Sequence, residues 1–466
     1  MFKLKENGTN VRTEIIAGVT TFFTMVYIIF VNPSILGSVT GFEKGGIFVA
    51  TIIATVVGTL IMGLVANVPY ALAPGMGLNA FFTYTVCFAL GFTWQQGLAM
   101  VFICGIINII ITVTQVRKAI IKSIPKTLQY AIGAGIGIFI AYIGLKDANI
   151  IKFTIDPWNI INDPAAAGGT VVSNGGAIPA LMSFADPKAL MALIGIVITT
   201  VLLVLRVKGA ILIGIIATAL IGWPLGVTVY DPTTAYQLSD ISKTAFQFDF
   251  GGLFADPTKI IIVIVTVFAF SLTDTFDTIG TFIGTGRKAG IFDEKDEAEL
   301  FSGKGFKSKM DKALFADATA TSIGSLFGTS NTTTYVESAA GIGVGGKTGL
   351  TSVVVAILFA LCLIITPVAG LVTVAACAPA LIIVGVMMCE PIGKIEWTSL
   401  DEAIPAFFAI VMMPLTYSIS NGIGFGFITY VICKLCAGKG KQIHPLLYVF
   451  AALFLLYFIL VAVLKL

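Results

Sequence analysis

Fifteen mostly apolar runs separated by short polar loops leave this chain few folds to choose from. The runs fall near 15 to 36, 46 to 67, 70 to 91, 95 to 115, 127 to 146, 189 to 206 and 209 to 229. After a wetter gap they resume at 258 to 284, 312 to 328, 334 to 346, 349 to 368, 371 to 389, 403 to 417, 421 to 436 and 444 to 464. Crossing a bilayer core takes roughly 20 apolar residues. With 57% hydrophobic residues and 11% charged, against about 25% charged in soluble proteins, the pattern predicts an all-α polytopic membrane protein. Fourteen runs pair off, and the last is a further apolar segment.

Basic residues in short loops mark the cytoplasmic side. Lys3, Lys5 and Arg12, then Arg117, Lys118, Lys122 and Lys126, then Arg206 and Lys208 follow even-numbered crossings. Arg287, Lys288, Lys304, Lys307, Lys309 and Lys312, then Lys394, then Lys434, Lys439 and Lys441 keep the alternation. The amino terminus is therefore expected inside, and the loops at 147 to 188 and 230 to 257 outside. If 444 to 464 spans, the carboxyl terminus lies outside. Scattered cations give no nucleic-acid footprint. A polar start of fourteen residues before a run long enough to span predicts no cleavable signal peptide.

Internal repeats come next. Ala54 to Gly63 (ATVVGTLIMG) and Ala320 to Gly328 (ATSIGSLFG) match, each followed by an asparagine, Asn67 and Asn331. A weaker echo joins Leu212 to Thr218 with Gly424 to Tyr430. A repeat of seven spans, an odd number, must enter the membrane upside down relative to the first copy. Inverted repeats characterise secondary transporters, whose site lies near the midplane where paired helices are broken. The breaks are visible: Pro69, Pro74, Gly75 and Gly77 interrupt the third run, and TTTYVESAAGIGVGG interrupts the tenth. Irregular backbone at that depth needs protein or a cavity to satisfy it. Gly133, Gly135 and Gly137 read instead as close-packing positions.

Acids inside spans are costly and point to function. Three stand out: Asp274 and Asp277 in the eighth run and Glu337 in the tenth. The two aspartates, three apart, share one helix face, and mutual repulsion favours a proton held between them. Their bland alternative is bonding to the hydroxyls of Thr273, Thr278 and Thr281. Asp317 reads as an interfacial residue beside Lys312.

Louder but weaker is a literal P-loop pattern, GIGVGGKT, from Gly341 to Thr348. A Walker loop follows a buried strand and opens a helix in a soluble α/β domain. Here it follows a broken polar segment, so no ATP site is expected and Lys347 reads as an inside-facing cation. His444 is the only histidine, which excludes a histidine metal site, and Cys433 with Cys436 lacks a second pair for zinc. Nothing supports an enzyme.

TTTYVES (Thr332 to Ser338), DTFDTIGT (Asp274 to Thr281) and ALAPGMGLNAFF (Ala71 to Phe82) resemble the nucleobase:cation symporter-2 family, the xanthine and uracil permease superfamily. The similarity is to its AzgA-like branch of adenine, guanine and hypoxanthine permeases, and it covers nearly the whole chain. It implies fourteen spans in two inverted repeats of seven, with short extended segments in spans 3 and 10. Residues 1 to 14 would be a cytoplasmic tail, 15 to 126 and 258 to 370 a core domain, 127 to 257 and 371 to 443 a gate domain, and 444 to 466 an appended apolar segment.

The resemblance implies proton symport of purine nucleobases at a plasma (inner) membrane by a homodimer, with no cofactor beyond the coupling ion and with sodium an open alternative to the proton. Asp277 and Glu337 match the family's base-binding acids, with Gly75, Met76, Gly77, Asn79, Thr333 and Thr334 around the base. Coupling would involve Asp274, Asp277 and Glu337. A polar or acidic group four residues beyond Asp277 is usual in the wider family; here it is Thr281, which leaves the proton's carrier open. Phe81 and Phe82 are candidates for stacking. An anion transporter of the same architecture and an uncoupled channel are the competing readings.

Overall fold

The computed structural model describes residues 2–114, 123–155, 160–161, 171–172, 177–228, 235–286, 290–292, 308–369 and 371–464. Arg117, Lys118, Lys122, Arg287, Lys288, Lys304 and Lys307 lie outside the described residues. The first span is a helix pair, α1 (Val11–Met25) and α2 (Ile28–Leu36). Its start is fixed by Asn10, whose side chain accepts from the Thr13 amide and so meets one of the orphan donors of a first turn. Span 2 is α3 (Lys44–Ile61), prolonged by a π-helical turn, Met62–Ala66, and stopped at Asn67, whose φ of +53° cannot continue a right-handed helix. Span 3 is broken as the prolines and glycines require: a strand β1 (Leu72–Pro74), a short helix α4 (Met76–Ala80) and π-helical backbone over Phe81–Ala89.

Next come α5 (Trp94–Thr114), α6 (Lys126–Asp147), α7 (Pro187–Val204) and α8 (Ala210–Gly222). Between α6 and α7 the chain forms a hairpin that sequence reading missed, β2 (Ile151–Ile155) against β3 (Ala177–Leu181), in register from Ile151 with Leu181 to Ile155 with Ala177. The second half opens with α9 (Ile260–Thr281) and α10 (Lys309–Phe327). Its broken span is a strand β4 (Thr332–Thr334) and a short helix α11 (Ser338–Gly343). It ends with α12 (Gly349–Leu361), α13 (Val374–Met387), α14 (Leu400–Leu415), α15 (Ile419–Cys436) and α16 (Pro445–Leu464).

The two sequence copies meet face to face. A Cβ added at Gly58 would lie 2.8 Å from the Ala320 Cβ, so α3 and α10 cross where their shared small residues allow the backbones to touch. Strands β1 and β4 pair antiparallel, Leu72 with Thr334, Ala73 with Thr333 and Pro74 with Thr332. Broken segments of the two halves thus satisfy one another, which is the geometry of an inverted repeat. Around this centre α1 packs on α12, α3 on α10 and α12, and α5 on α9 and α10; apart from them α6 packs on α13 and α14, and α7 on α8 and α13. Gly135 and Gly137 abut Met413 and Gly385, as close packing demands, whereas nothing lies within 4 Å of a Cβ at Gly133.

Helix α16 runs antiparallel to α15 along its length. Tyr448 donates to the Gly440 carbonyl at the start, Phe450 and Phe454 pack on Phe427, and Phe458 reaches Phe425. Twenty residues at 1.5 Å each give about 30 Å, enough to cross. His444 Nδ1 accepts from the Leu446 amide at its start.

Candidate functional site

Two extended segments crossing at membrane depth expose backbone groups that helices would satisfy internally, and the fold supplies partners for them. The Gly75 amide donates to the Asn331 carbonyl at 2.9 Å, and the Tyr335 amide to Ala71 at 3.0 Å. Thr59 Oγ1 accepts from the Leu72 amide, Ser338 Oγ accepts from the Ala71 amide, and Thr321 Oγ1 donates to the Thr332 carbonyl. Threonines and serines are therefore frequent here because hydroxyls replace the helix's own bonds.

Asp317 belongs to this frame. Its Oδ1 accepts from the Thr334 amide, Thr334 Oγ1 and Thr278 Oγ1, each at 2.8 Å. The expectation of an interfacial residue beside Lys312 is overturned: the carboxylate is 1% exposed and bonds to β4 and α9. Sequence proximity to the basic run suggested the wrong partner, because β4 is what needs an acceptor.

The three flagged acids converge on the same crossing. Asp274 is wholly buried, its Oδ2 accepting from Asn108 Nδ2 at 3.1 Å and Thr321 Oγ1 at 3.2 Å. Asn108 is oriented in turn by Ser271, whose hydroxyl donates to its Oδ1. Asp277, nearly one turn on, is half-buried. Glu337 stands just before α11 and is also half-buried. Asp277 lies near enough to Asp274 and Glu337 for their charges to act on it. Glu337 Oε1 accepts from the Tyr27 hydroxyl, presented at the bend between α1 and α2. Tyr335 turns the other way, its hydroxyl donating to the Pro74 carbonyl at 2.6 Å.

The remaining expected site residues are mostly occupied with the frame. Thr333 Oγ1 bonds Thr278 Oγ1 at 2.8 Å, and Thr334 bonds Asp317. The Asn79 carbonyl oxygen accepts from the Ser330 hydroxyl, so its side chain ties α4 to the loop before β4. Gly75, Met76 and Gly77 are buried beside them; a Cβ on Gly77 would strike Ile136 of α6 at 2.5 Å. Phe81 meets Phe270 edge-on and Phe82 packs on Phe42, placing both rings in the core. Tyr27 and Asn108 were missed from the sequence; a lone asparagine in the apolar GIINIIIT of α5 was the available signal for Asn108.

The P-loop pattern has its own occupant. The segment from Gly341 to Thr348 closes α11, turns at Gly345 with φ +106° and leads into α12. Glu14 of α1 plugs that turn: its Oε1 accepts from the Lys347 amide, and its Oε2 from the Thr348 and Thr351 amides and from Thr351 Oγ1. A carboxylate of the protein thus fills the anion position a helix start offers. Among the described residues no group of three or more His, Cys, Asp or Glu could hold a metal ion.

A family model described as "Permease family", the Xan_ur_permease model, matches residues 12–425. The chain is 42% identical to the guanine/hypoxanthine permease PbuO of Bacillus subtilis, over 97% of this chain and 98% of the relative. It is 39% identical to the adenine permease AdeP of Escherichia coli, over 98% and 94%. Among solved structures it is similar to the transmembrane domain of the cyanobacterial bicarbonate transporter BicA, with a TM-score of 0.60 at 15% identity, over 88% of this chain and 97% of that one. That likeness concerns the fold, a transporter architecture of two inverted seven-span repeats. The chain therefore belongs to the xanthine and uracil permease family, the nucleobase:cation symporter-2 group, and is a membrane transporter rather than an enzyme.

Proposed function

We propose that this transporter imports purine nucleobases by proton symport, with Glu337 and Asp277 as the base-binding acids. The observation that carries the reading is that these two residues, unlike the buried Asp274 and Asp317, are only half-buried at the crossing of the broken spans. A purine edge offers ring N–H donors beside acceptors, and two carboxyls, one protonated and one ionised, complement both. Relatives named as adenine and guanine/hypoxanthine permeases support the substrate class. Asp274, held by Asn108 and Thr321, sits behind Asp277 and biases which of the pair carries the proton. Helices α1 to α5 with α9 to α12 form the moving core, α6 to α8 with α13 to α15 the gate, and the chain works as a homodimer in the plasma (inner) membrane with its amino terminus cytoplasmic. An anion substrate fits poorly, because carboxylates gathered at the crossing would repel it.

Uptake of labelled adenine, guanine, hypoxanthine and uracil into vesicles, with and without a pH gradient, tests this. Collapse of the gradient should abolish accumulation of a purine, and Glu337→Gln should abolish binding. Accumulation indifferent to the gradient refutes proton coupling, and uracil outcompeting every purine refutes the substrate class.

A further inference from the structure

The hydroxyl of Thr321, a buried residue of α10, meets two acceptors with one hydrogen. Its Oγ1 lies 3.2 Å from Asp274 Oδ2 and 3.1 Å from the Thr332 carbonyl, and a hydroxyl donates only once. A threonine inside a helix commonly turns that hydrogen to the carbonyl four residues back. Thr319, two positions earlier, does so, donating to the Phe315 carbonyl at 2.8 Å. Thr321 reaches instead to α9 and to β4.

Asn108, which also donates to Asp274, has no such choice. Its Nδ2 gives hydrogens to Asp274 Oδ2 at 3.1 Å and to Cys104 Sγ at 3.7 Å, and its Oδ1 takes the Ser271 hydroxyl. Both ends of that amide are committed. On the strand side, Pro74 stands opposite Thr332 in the register and brings no N–H, so the Thr332 carbonyl draws on α10. Among the described residues, Asp277 on the same helix and Cys104 on α5 are titratable neighbours of Asp274; beyond them lie Glu337, near Asp277, and Asp317 of α10, near Cys104.

We propose that Thr321 is a positioning residue that reports the protonation of Asp274 to β4. The inference rests on the reading that acids at the crossing bind the coupling proton. An ionised carboxylate outcompetes a carbonyl, because a charge-assisted hydrogen bond is roughly twice as strong as a neutral one. The Thr321 hydrogen then goes to Asp274, and the Thr332 carbonyl goes without it. When the Asp274 carboxylate takes up a proton from solution it becomes a neutral acid, and the Thr321 hydrogen turns to Thr332. Strand β4 is then held to α10. That strand carries Thr333 and Thr334 and leads to Glu337, so a proton bound behind the site firms the wall in front of it.

Equilibrium binding of labelled adenine, guanine and hypoxanthine to the full-length protein, from about pH 5.5 to 8, tests this. The native Kd should rise with pH. Thr321→Val keeps the shape and removes the hydrogen; its Kd should be about fivefold above native at the low end, the worth of one neutral hydrogen bond, and match native at the high end. A residue that only fills space would shift Kd equally at every pH. Thr321→Ser should restore the native profile, and Thr319→Val should leave it unchanged. Thr321→Cys keeps a weak S–H donor and should fall between native and valine, so the test stands if the valine variant does not fold. A native Kd indifferent to pH overturns the inference together with the coupling reading beneath it. A native profile kept by Thr321→Val or Thr321→Cys, or a shift equal at every pH, overturns the inference alone.

Discussion

Glutamine in place of Glu14 isolates what the carboxylate does at the start of α12. The native group is fully buried and accepts four hydrogen bonds, three from amides and one from Thr351 Oγ1 at 2.6 Å. Charge-assisted bonds contribute about 1.5–3 kcal/mol each, and a donor left unsatisfied costs about 1–3 kcal/mol. Glutamine keeps one acceptor oxygen but turns an NH₂ toward amides that need an acceptor, so the loss comes to about 2–4 kcal/mol. If half of it appears in the unfolding barrier, the half-life at a fixed temperature falls about 5- to 30-fold. Buried Cys104 and Cys377 allow this to be timed with a thiol-reactive dye in detergent. ATP should not slow the reaction in either protein, since the position a phosphate would take is filled by Glu14. A half-life unchanged in Glu14→Gln, or lengthened by ATP in the native chain, would refute the reasoning.

Three further outcomes are expected. Tyr27→Phe removes the hydroxyl that holds Glu337, and the loss of about 1.5–3 kcal/mol should raise the Kd for a purine tenfold or more; an unaltered isotherm would remove Tyr27 from the site. At Gly349 a Cβ would lie 1.9 Å from the Gly63 carbonyl oxygen, so Gly349→Ala should force α12 from the π-helical turn and cost about 3 kcal/mol, read as a shortened thermal half-life; native stability would show that the contact yields cheaply. Ending the chain at Gln442 removes α16, whose Phe450 packs 4.4 Å from Phe268 of α9 and also on Phe427 of α15; the shortened protein should lose stability and transport together, and full uptake at native stability would show α16 dispensable.

Features that depend on short-range pattern were legible in the sequence. Each span is an apolar run, and the repeat shows because ATVVGTLIMG and ATSIGSLFG must both keep small residues where α3 and α10 touch. Extended segments in spans 3 and 10 follow from Pro74 and the threonines at 332 to 334, which a helix accommodates poorly. Partners set by the fold were not legible. Tyr27 and Glu337 stand 310 residues apart, and Glu14 and Thr351 337 apart, so no local pattern joins them. Asp317 shows the cost of substituting nearness in sequence for nearness in space: Lys312 was the neighbour at hand, whereas the unmet donors of β4 lie 17 residues on. The hairpin at 151 to 181 escaped because its strands are separated by a long stretch rich in Pro, Gly and Ala.

The same distinction applies to the P-loop match. Such a motif works through free amides at a helix start, and the sequence does contain that start, at Gly349. Whether the amides are free depends on what the fold brings to them. Here the inverted partner half delivers two oxygens of Glu14 and the side-chain oxygen of Asn67, which accepts from the Gly349 amide at 2.9 Å. A motif made of donors becomes a ligand site only where the chain withholds its own acceptors. At the crossing of β1 and β4 that condition is reversed for the acids: Asp274 and Asp317 are committed to protein donors, while Asp277 keeps part of its surface uncovered. Function is thus read from which polar groups the fold leaves incompletely paired.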